Sequence, residues 1–125
     1  MKKLTIATHN GKFHIDEVMS IAILKIIYPN CEILRIRDEK EIKKAEIRVD
    51  IGKKYNPRTN DFDHHQINSP IRKNKIPYSS CGLIWGERLC ASSSEIEGID
   101  YDLLERAHLL DHLDQWRNAC ICCLQ

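Results

Sequence analysis

No long apolar run occurs in this sequence. The longest such stretch, residues 18–28, is broken by Ser20 and Lys25 and is too short to cross a bilayer. The start of the chain carries two lysines, but no apolar segment with a small-residue cleavage site follows them, so we expect no signal peptide. These absences predict a cytoplasmic protein without membrane contact, in which the six cysteines stay reduced.

An excess of charge of either sign is also missing. The 19 basic and 18 acidic residues leave a formal net charge of +1, so the charge balance does not require a nucleic-acid partner. A local basic cluster, Arg72, Lys73 and Lys75, fits either a solvated loop or a phosphate contact. The sequence has no pair of C-x-x-C motifs, which argues against a zinc ribbon.

The 125 residues, of which 42% are hydrophobic, suffice for one domain with a single core. Apolar patterning predicts strands at 4–8, 32–37 and 47–51, and helices at 15–28, 38–44, 79–89 and 100–117. Residues 53–60 are predicted to form a polar excursion. The alternation of strands and helices predicts an α/β fold with a parallel sheet, spanning residues 1–118 and followed by a cysteine-rich tail, residues 119–125.

Side chains that bind metals follow two of the predicted strands. His9 comes directly after the first strand, with His14 and Asp16 at the start of the next helix, and Asp50 closes the third strand. Polar sites in parallel α/β sheets form outside the carboxyl ends of the strands, so we expect these groups to converge. Imidazole and carboxylate together suit manganese, iron, zinc or cobalt, and carboxylates also suit magnesium. Asp50 and His64 would complete one site or bridge two ions.

Each of these features alone has an ordinary explanation. His14 and Asp16 fit a helix cap and its dipole, Asp50 fits a structural role, and His64 and His65 fit a solvated surface. Their joint occurrence at successive strand ends favours a metal site over packing.

Three longer stretches, residues 8–17, 48–52 and 55–66, resemble the melanocyte-proliferating-gene (MYG) family of metal-dependent hydrolases. The triplet Asp63-His64-His65 also resembles the signature of the wider DHH phosphoesterase superfamily. The resemblance continues through residues 79–85 and, more weakly, residues 111–114. It implies a DHH-like domain that hydrolyses phosphodiesters, as a nuclease acting on RNA or short oligonucleotides. A pyrophosphatase-like enzyme and a non-catalytic metal-binding subunit are the alternatives.

The resemblance also assigns roles to individual residues. It implies metal ligation by His9, His14, Asp16, Asp50, His64 and Asp111, with Asp114 competing for the last position. It implies that Asp63 orients His64 and that His65 contacts the scissile phosphate or protonates the leaving group. The implied metal is Mn²⁺, with Mg²⁺, Co²⁺ and Zn²⁺ as alternatives.

Members of this family are longer than 125 residues. The resemblance therefore implies an N-terminal portion that needs a further C-terminal region, or association with another copy, to close over the substrate. Such a portion is expected to bind metal and to hydrolyse long RNA poorly, because closure positions the substrate.

Overall fold

The structure is a computed structural model that describes residues 2–73 and 75–89. Its strands are β1 (Thr5–Thr8), β2 (Glu32–Arg35), β3 (Ile47–Val49), β4 (Tyr55–Asn56) and β5 (Asp61–Phe62). Its α-helices are α1 (Ile15–Ile27), α2 (Glu39–Ile42) and α3 (Ser80–Ile84), which continues as a π-helical turn over Trp85–Leu89. The helix predicted at 100–117, with Asp111 and Asp114, and the cysteine-rich tail lie outside the described residues.

The strands form one sheet in the order β2-β1-β3-β5-β4. β1 pairs in parallel with β2 and β3, and β3 pairs in parallel with β5, whereas β4 lies antiparallel to β5 at one edge. The predicted α/β fold is therefore confirmed. Parallel pairing brings the carboxyl ends of β1, β3 and β5 to the same edge of the sheet, where polar sites form.

The region predicted as a polar excursion contains regular structure instead. It holds β4 and a 3₁₀ turn, Pro57–Thr59, and β5 follows directly. Strands of two residues are too short to show an alternation of apolar and polar side chains, so their sequence gives no periodic signal. The turn is recognisable in hindsight, because the Asn56 side chain accepts a hydrogen bond from the Arg58 amide.

Helix α1 begins where it is predicted and ends one residue earlier, but it is less buried than its apolar sequence indicates. Ile23 and Leu24 pack in the core, whereas Ile15, Val18 and Ile26 are exposed among the described residues. One face of the helix covers the sheet and the other does not. The first turn buries two acids, Asp16 and Glu17, at the carboxyl edge of the sheet.

The core lies between the sheet and the two helices α1 and α3. Its largest fully buried apolar side chains are those of Phe62, Ile6, Ile23, Leu24, Ile47, Ile84 and Val49. Ile6 of β1 lies opposite both Ile33 and Ile47, which fixes the register of the central strands. Among the described helices, none combines the length and the apolar character needed to traverse a bilayer.

Replacing Phe62 tests whether β5 is anchored through the core. The side chain is fully buried and directly precedes the Asp63-His64-His65 segment. Phe62→Ala should lower the free energy of unfolding by about 3–5 kcal/mol, because a large cavity opens in the core. Urea denaturation measures this loss. Ile67→Ala, at a fully exposed apolar residue, is the control and should change the stability by less than roughly 0.5 kcal/mol. Equal stabilities of the two variants would contradict the packing described.

Candidate metal centre

The first part of the centre is built by the turn that joins β1 to α1. His9 follows β1 directly and is 4% exposed, and Gly11 supplies the positive φ of 87° that the turn requires. His14 is the N-cap residue of α1, and its ring centroid lies 5.0 Å from that of His9. The turn thus reverses the direction of the chain, which brings the two imidazole rings together at the carboxyl edge of the sheet.

Asp50 provides the second part, directly after β3. Its backbone has a φ of 54°, a left-handed conformation that aspartate tolerates better than most residues. Its buried carboxylate places Oδ2 3.2 Å from His9 Nε2 and accepts a hydrogen bond of 3.1 Å from Ser80 Oγ on Oδ1. Asp50 therefore connects the end of β1 to the start of α3.

Asp16 ties the first turn of α1 to the start of α3. Its two carboxylate oxygens accept hydrogen bonds from the Cys81 amide at 2.7 Å and the Ser80 amide at 3.2 Å. Its Oδ2 also lies 3.1 Å from His64 Nε2. Burial raises the pKa of Asp16, but the hydrogen bonds from His64 and the Cys81 amide outweigh burial and hold that pKa below its usual range.

The Asp63-His64-His65 segment forms the third part, directly after β5. The His64 side chain is 20% exposed and that of His65 is 52% exposed, and their ring centroids are 4.4 Å apart. Both rings turn toward Asp50, with His64 Nε2 at 3.3 Å and His65 Nδ1 at 3.7 Å from Oδ1. The rings of His64 and His65 thus lie on the same side of the chain, because this segment has left the extended conformation of the strand.

Asp63 contacts a different ring from the one that we expected it to orient. Its Oδ1 lies 2.6 Å from His65 Nδ1 and accepts a hydrogen bond of 2.8 Å from the His64 amide. Its Oδ2 accepts a hydrogen bond of 2.7 Å from the Lys53 amide. The hydrogen bond to Asp63 raises the pKa of His65. Asp63 therefore fixes the His64 backbone and the His65 ring.

His64 carries a proton in this arrangement. Burial lowers the pKa of His64, but the hydrogen bonds to Asp16 and Asp50 outweigh burial and raise that pKa to about 10. A cation between the two carboxylates balances part of their charge, which would otherwise be costly to bury. A divalent cation would serve the same electrostatic purpose.

Among the described residues, two groups of side chains each offer ligand atoms that lie within 4.8 Å of one another. One group is His9, His14 and Asp50, and the other is Asp50, Asp63, His64 and His65. Asp50 belongs to both groups, whereas Asp16 belongs to neither and adjoins the second through His64. Mixed imidazole and carboxylate donors fit Mn²⁺, Co²⁺ or Zn²⁺, so the residues present suit a divalent ion.

An open cleft of about 240 Å³ gives access to these groups. His14, Asp50, Asp63 and His65 line it, together with two cations, Arg37 and Lys53. These two basic residues were not among those predicted from the sequence.

The basic cluster that the sequence offers as a phosphate contact lies away from this cleft. The Arg72 guanidinium lies 4.0 Å from the centre of the Tyr78 ring and donates a hydrogen bond of 2.8 Å to the Pro77 carbonyl. Arg72, Lys73 and Lys75 do not line the cleft beside Asp50. These contacts give Arg72 a structural role within its own loop.

Known proteins match this chain over most of its length. The MYG1 exonuclease family model, described as uncharacterised protein family UPF0160, matches residues 5–115. The chain belongs to this family. The MYG1 exonuclease of Mus musculus is 46% identical over 99 residues, covering 69% of this chain and 26% of the mouse protein. The Homo sapiens MYG1 exonuclease is 38% identical over 99 residues, again covering 69% of this chain and 26% of the relative.

A relative from a third organism gives similar coverage. The Dictyostelium discoideum MYG1 protein is 41% identical over 90 residues, covering 68% of this chain and 27% of the relative. The chain thus spans about a quarter of the length of these MYG1 relatives. The family match includes every residue of the two candidate ligand groups. No solved structure matches the chain.

One buried acid of this MYG1 family member was missed from the sequence. Glu17 is 2% exposed, and its Oε2 lies 3.0 Å from His9 Nε2 and accepts a hydrogen bond of 3.2 Å from Thr8 Oγ1. Its Oε1 accepts a hydrogen bond of 3.1 Å from the His14 amide. Glu17 therefore holds the His9 ring and the backbone of His14. The spacing of three residues from His14 is that of a capping box and was the available signal.

The protonation of His64 in the metal-free chain can be measured directly. NMR titration of the ring carbons in the presence of EDTA should show His64 titrating near pH 10, and Asp16→Asn should lower this pKa because one carboxylate charge is lost. The folded pKa lies above the unfolded value of 6.5, so the stabilisation is fully present below pH 6.5 and is lost as the pH rises toward 10. His65→Gln serves to assign the two rings. Titration of His64 at its ordinary pKa would contradict the ion pairs described.

Proposed function

We propose that this chain carries the divalent-metal centre of a nuclease-type phosphodiester hydrolase, with Mn²⁺ as the metal and RNA or a short oligonucleotide as the substrate. The observation that carries the proposal is the sharing of buried Asp50 between two groups of metal-type ligands beside an open cleft. The names of the mouse and human relatives, MYG1 exonuclease, support the nuclease class.

The proposed ligands divide into two sets that share Asp50. His9 and His14 would hold one ion with Asp50, while His64 and Asp16 would hold a second ion against the same carboxylate. When bound, such ions supply Lewis-acid polarisation of a phosphoryl oxygen and activate water at neutral pH. Asp111, which lies outside the described residues, remains a further candidate ligand by resemblance, with Asp114 competing for this position.

His65 is the residue suited to acid catalysis. It is the more exposed of the two neighbouring imidazoles, and Asp63 holds its Nδ1 at 2.6 Å. The hydrogen bond to Asp63 raises the pKa of His65, which favours the protonated ring that would donate a proton to the leaving oxygen of a phosphodiester. Asp63 serves as its positioning residue.

Two further residues position the ligands. Ser80 Oγ donates a hydrogen bond of 3.1 Å to Asp50, and Glu17 contacts the His9 ring and the His14 amide. Partners of this kind fix the orientation of ligands, and their loss commonly weakens metal affinity about 10–100-fold. The centre is thus held by α1 and α3 as well as by the strand ends.

Replacing Asp50 tests the shared ligand. Wild-type chain in Mn²⁺ at 100 times the dissociation constant should gain about 2.7 kcal/mol of stability, because the ion binds only the folded state. Asp50→Asn should abolish this gain and the hydrolysis of bis-p-nitrophenyl phosphate. The control is Asp38→Asn, which removes an equal charge at the cap of α2, where asparagine caps as well as aspartate. Thermal melts and elemental analysis measure the effect. Retention of Mn²⁺ by Asp50→Asn would refute the shared-ligand assignment.

The roles of the neighbouring histidines are separable. His64→Gln should lose metal, whereas His65→Gln should keep the metal and lose about 10²–10⁴-fold in rate, because only the proton donor is removed. Metal content per chain and phosphate release are measured on both variants. The opposite pattern would reverse the assignment. Faster release of phosphate from pyrophosphate than cleavage of a phosphodiester would favour the pyrophosphatase-like alternative.

A further inference from the structure

The cleft beside the metal-type ligands adjoins a second cleft. The second cleft has a volume of about 430 Å³ and lies between α2 and β5, with Lys43, Arg48 and Lys54 among its lining residues. Gly52 lines both clefts, so they meet at this residue. A ligand longer than one phosphodiester can therefore extend from one cleft into the other.

Basic residues line both of the clefts that meet at Gly52. Lys53 and Arg37 line the first cleft, and Lys54 and Lys43 line the second. In the part of the chain that the structure describes, the Nζ atoms of Lys53 and Lys43 form no ion pair. Lys54 Nζ lies 3.5 Å from an oxygen of Asp61, which Arg48 already neutralises. Glu39 also lines the second cleft, whose three basic residues thus exceed its two acids by one charge.

The backbone keeps this passage open and holds Lys53 in place. Gly52 has a φ of 91°, and a Cβ atom built on it would meet no atom within 4 Å, so no side chain crowds the boundary between the clefts. The Lys53 amide donates a hydrogen bond of 2.7 Å to Asp63, the acid that also fixes His65. The turn is therefore anchored to the segment proposed to act on the scissile phosphate.

Arg37 is positioned at the other side of the first cleft. Its Nε donates a hydrogen bond of 2.8 Å to Asn10 Oδ1, and one Nη donates to the Asn10 carbonyl at 3.3 Å. These two bonds hold the planar guanidinium against the turn that carries His9 and His14. A fixed guanidinium is well suited to contact phosphate oxygens.

We propose that this track, formed by Arg37, Lys53, Lys54 and Lys43, binds the successive phosphates of a single-stranded oligonucleotide that runs across Gly52. The inference rests on the proposed function and specifies its substrate as a chain of phosphates rather than a small phosphate compound. Arg37 and Lys53 hold the phosphates next to the reacting bond, and Lys54 and Lys43 hold those beyond it.

The test is the dependence of binding on oligonucleotide length. Fluorescence anisotropy in EDTA, where hydrolysis is prevented, compares a labelled single-stranded dinucleotide with a tetranucleotide. The variant Lys43→Ala/Lys54→Ala should lower the ratio of tetranucleotide to dinucleotide affinity roughly fivefold, as expected for two exposed ion pairs. The slope of log K against log salt for the tetranucleotide should flatten by about 1.4, or about 0.7 for each lost phosphate contact.

The matched control is Lys3→Ala/Lys25→Ala, which removes the same charge at two residues that line neither cleft and should leave both the ratio and the slope unchanged. Three results would contradict the proposed track: equal behaviour of the two double variants, an equal loss of affinity for both oligonucleotide lengths, or a preference for duplex over single strand. The binding measurements contain no metal, so they do not test the metal centre. An incorrect assignment of the metal centre would be detected only by the Asp50→Asn experiment. Thermal melts verify that both double variants are folded.

Discussion

Asp50 is the group on which the rest of the centre depends. It leaves β3 in a left-handed conformation, is buried, and contacts side chains from three other segments of the chain, His9, Ser80 and His64. A buried carboxylate is costly unless hydrogen bonds and opposite charge compensate it. The surrounding structure supplies both, and these same contacts bring the ligand-type side chains together.

This requirement explains why the start of α3 belongs to the centre. The Ser80 and Cys81 amides donate hydrogen bonds to Asp16, and the Ser80 hydroxyl donates one to Asp50. The amides at the start of a helix have no partner within the helix, and the carboxylates need donors, so each satisfies the other. Because the contacts to Asp16 cross 64 and 65 positions of sequence, they also fix how α3 packs against α1.

The buried carboxylates give the two neighbouring histidines different environments. His64 lies between Asp16 and Asp50 and is largely buried, whereas His65 pairs with Asp63 and remains half exposed. Burial and the choice of partner therefore give adjacent residues different chemistry. The proposed division between a metal ligand and a proton donor follows from this difference in environment.

The sequence by itself determined the α/β order, the position of α1 and the segments that carry ligand-type groups, because periodicity and capping are local properties. The placement of His9 and Asp50 at strand ends was predictable for the same reason. Only the tertiary structure decided that β5 lies beside β3, that Asp63 holds His65, and that Glu17, Ser80, Arg37 and Lys53 join the centre. These outcomes depend on hydrogen bonds and burial between segments distant in sequence, and local patterns do not encode which distant donor a buried carboxylate will meet.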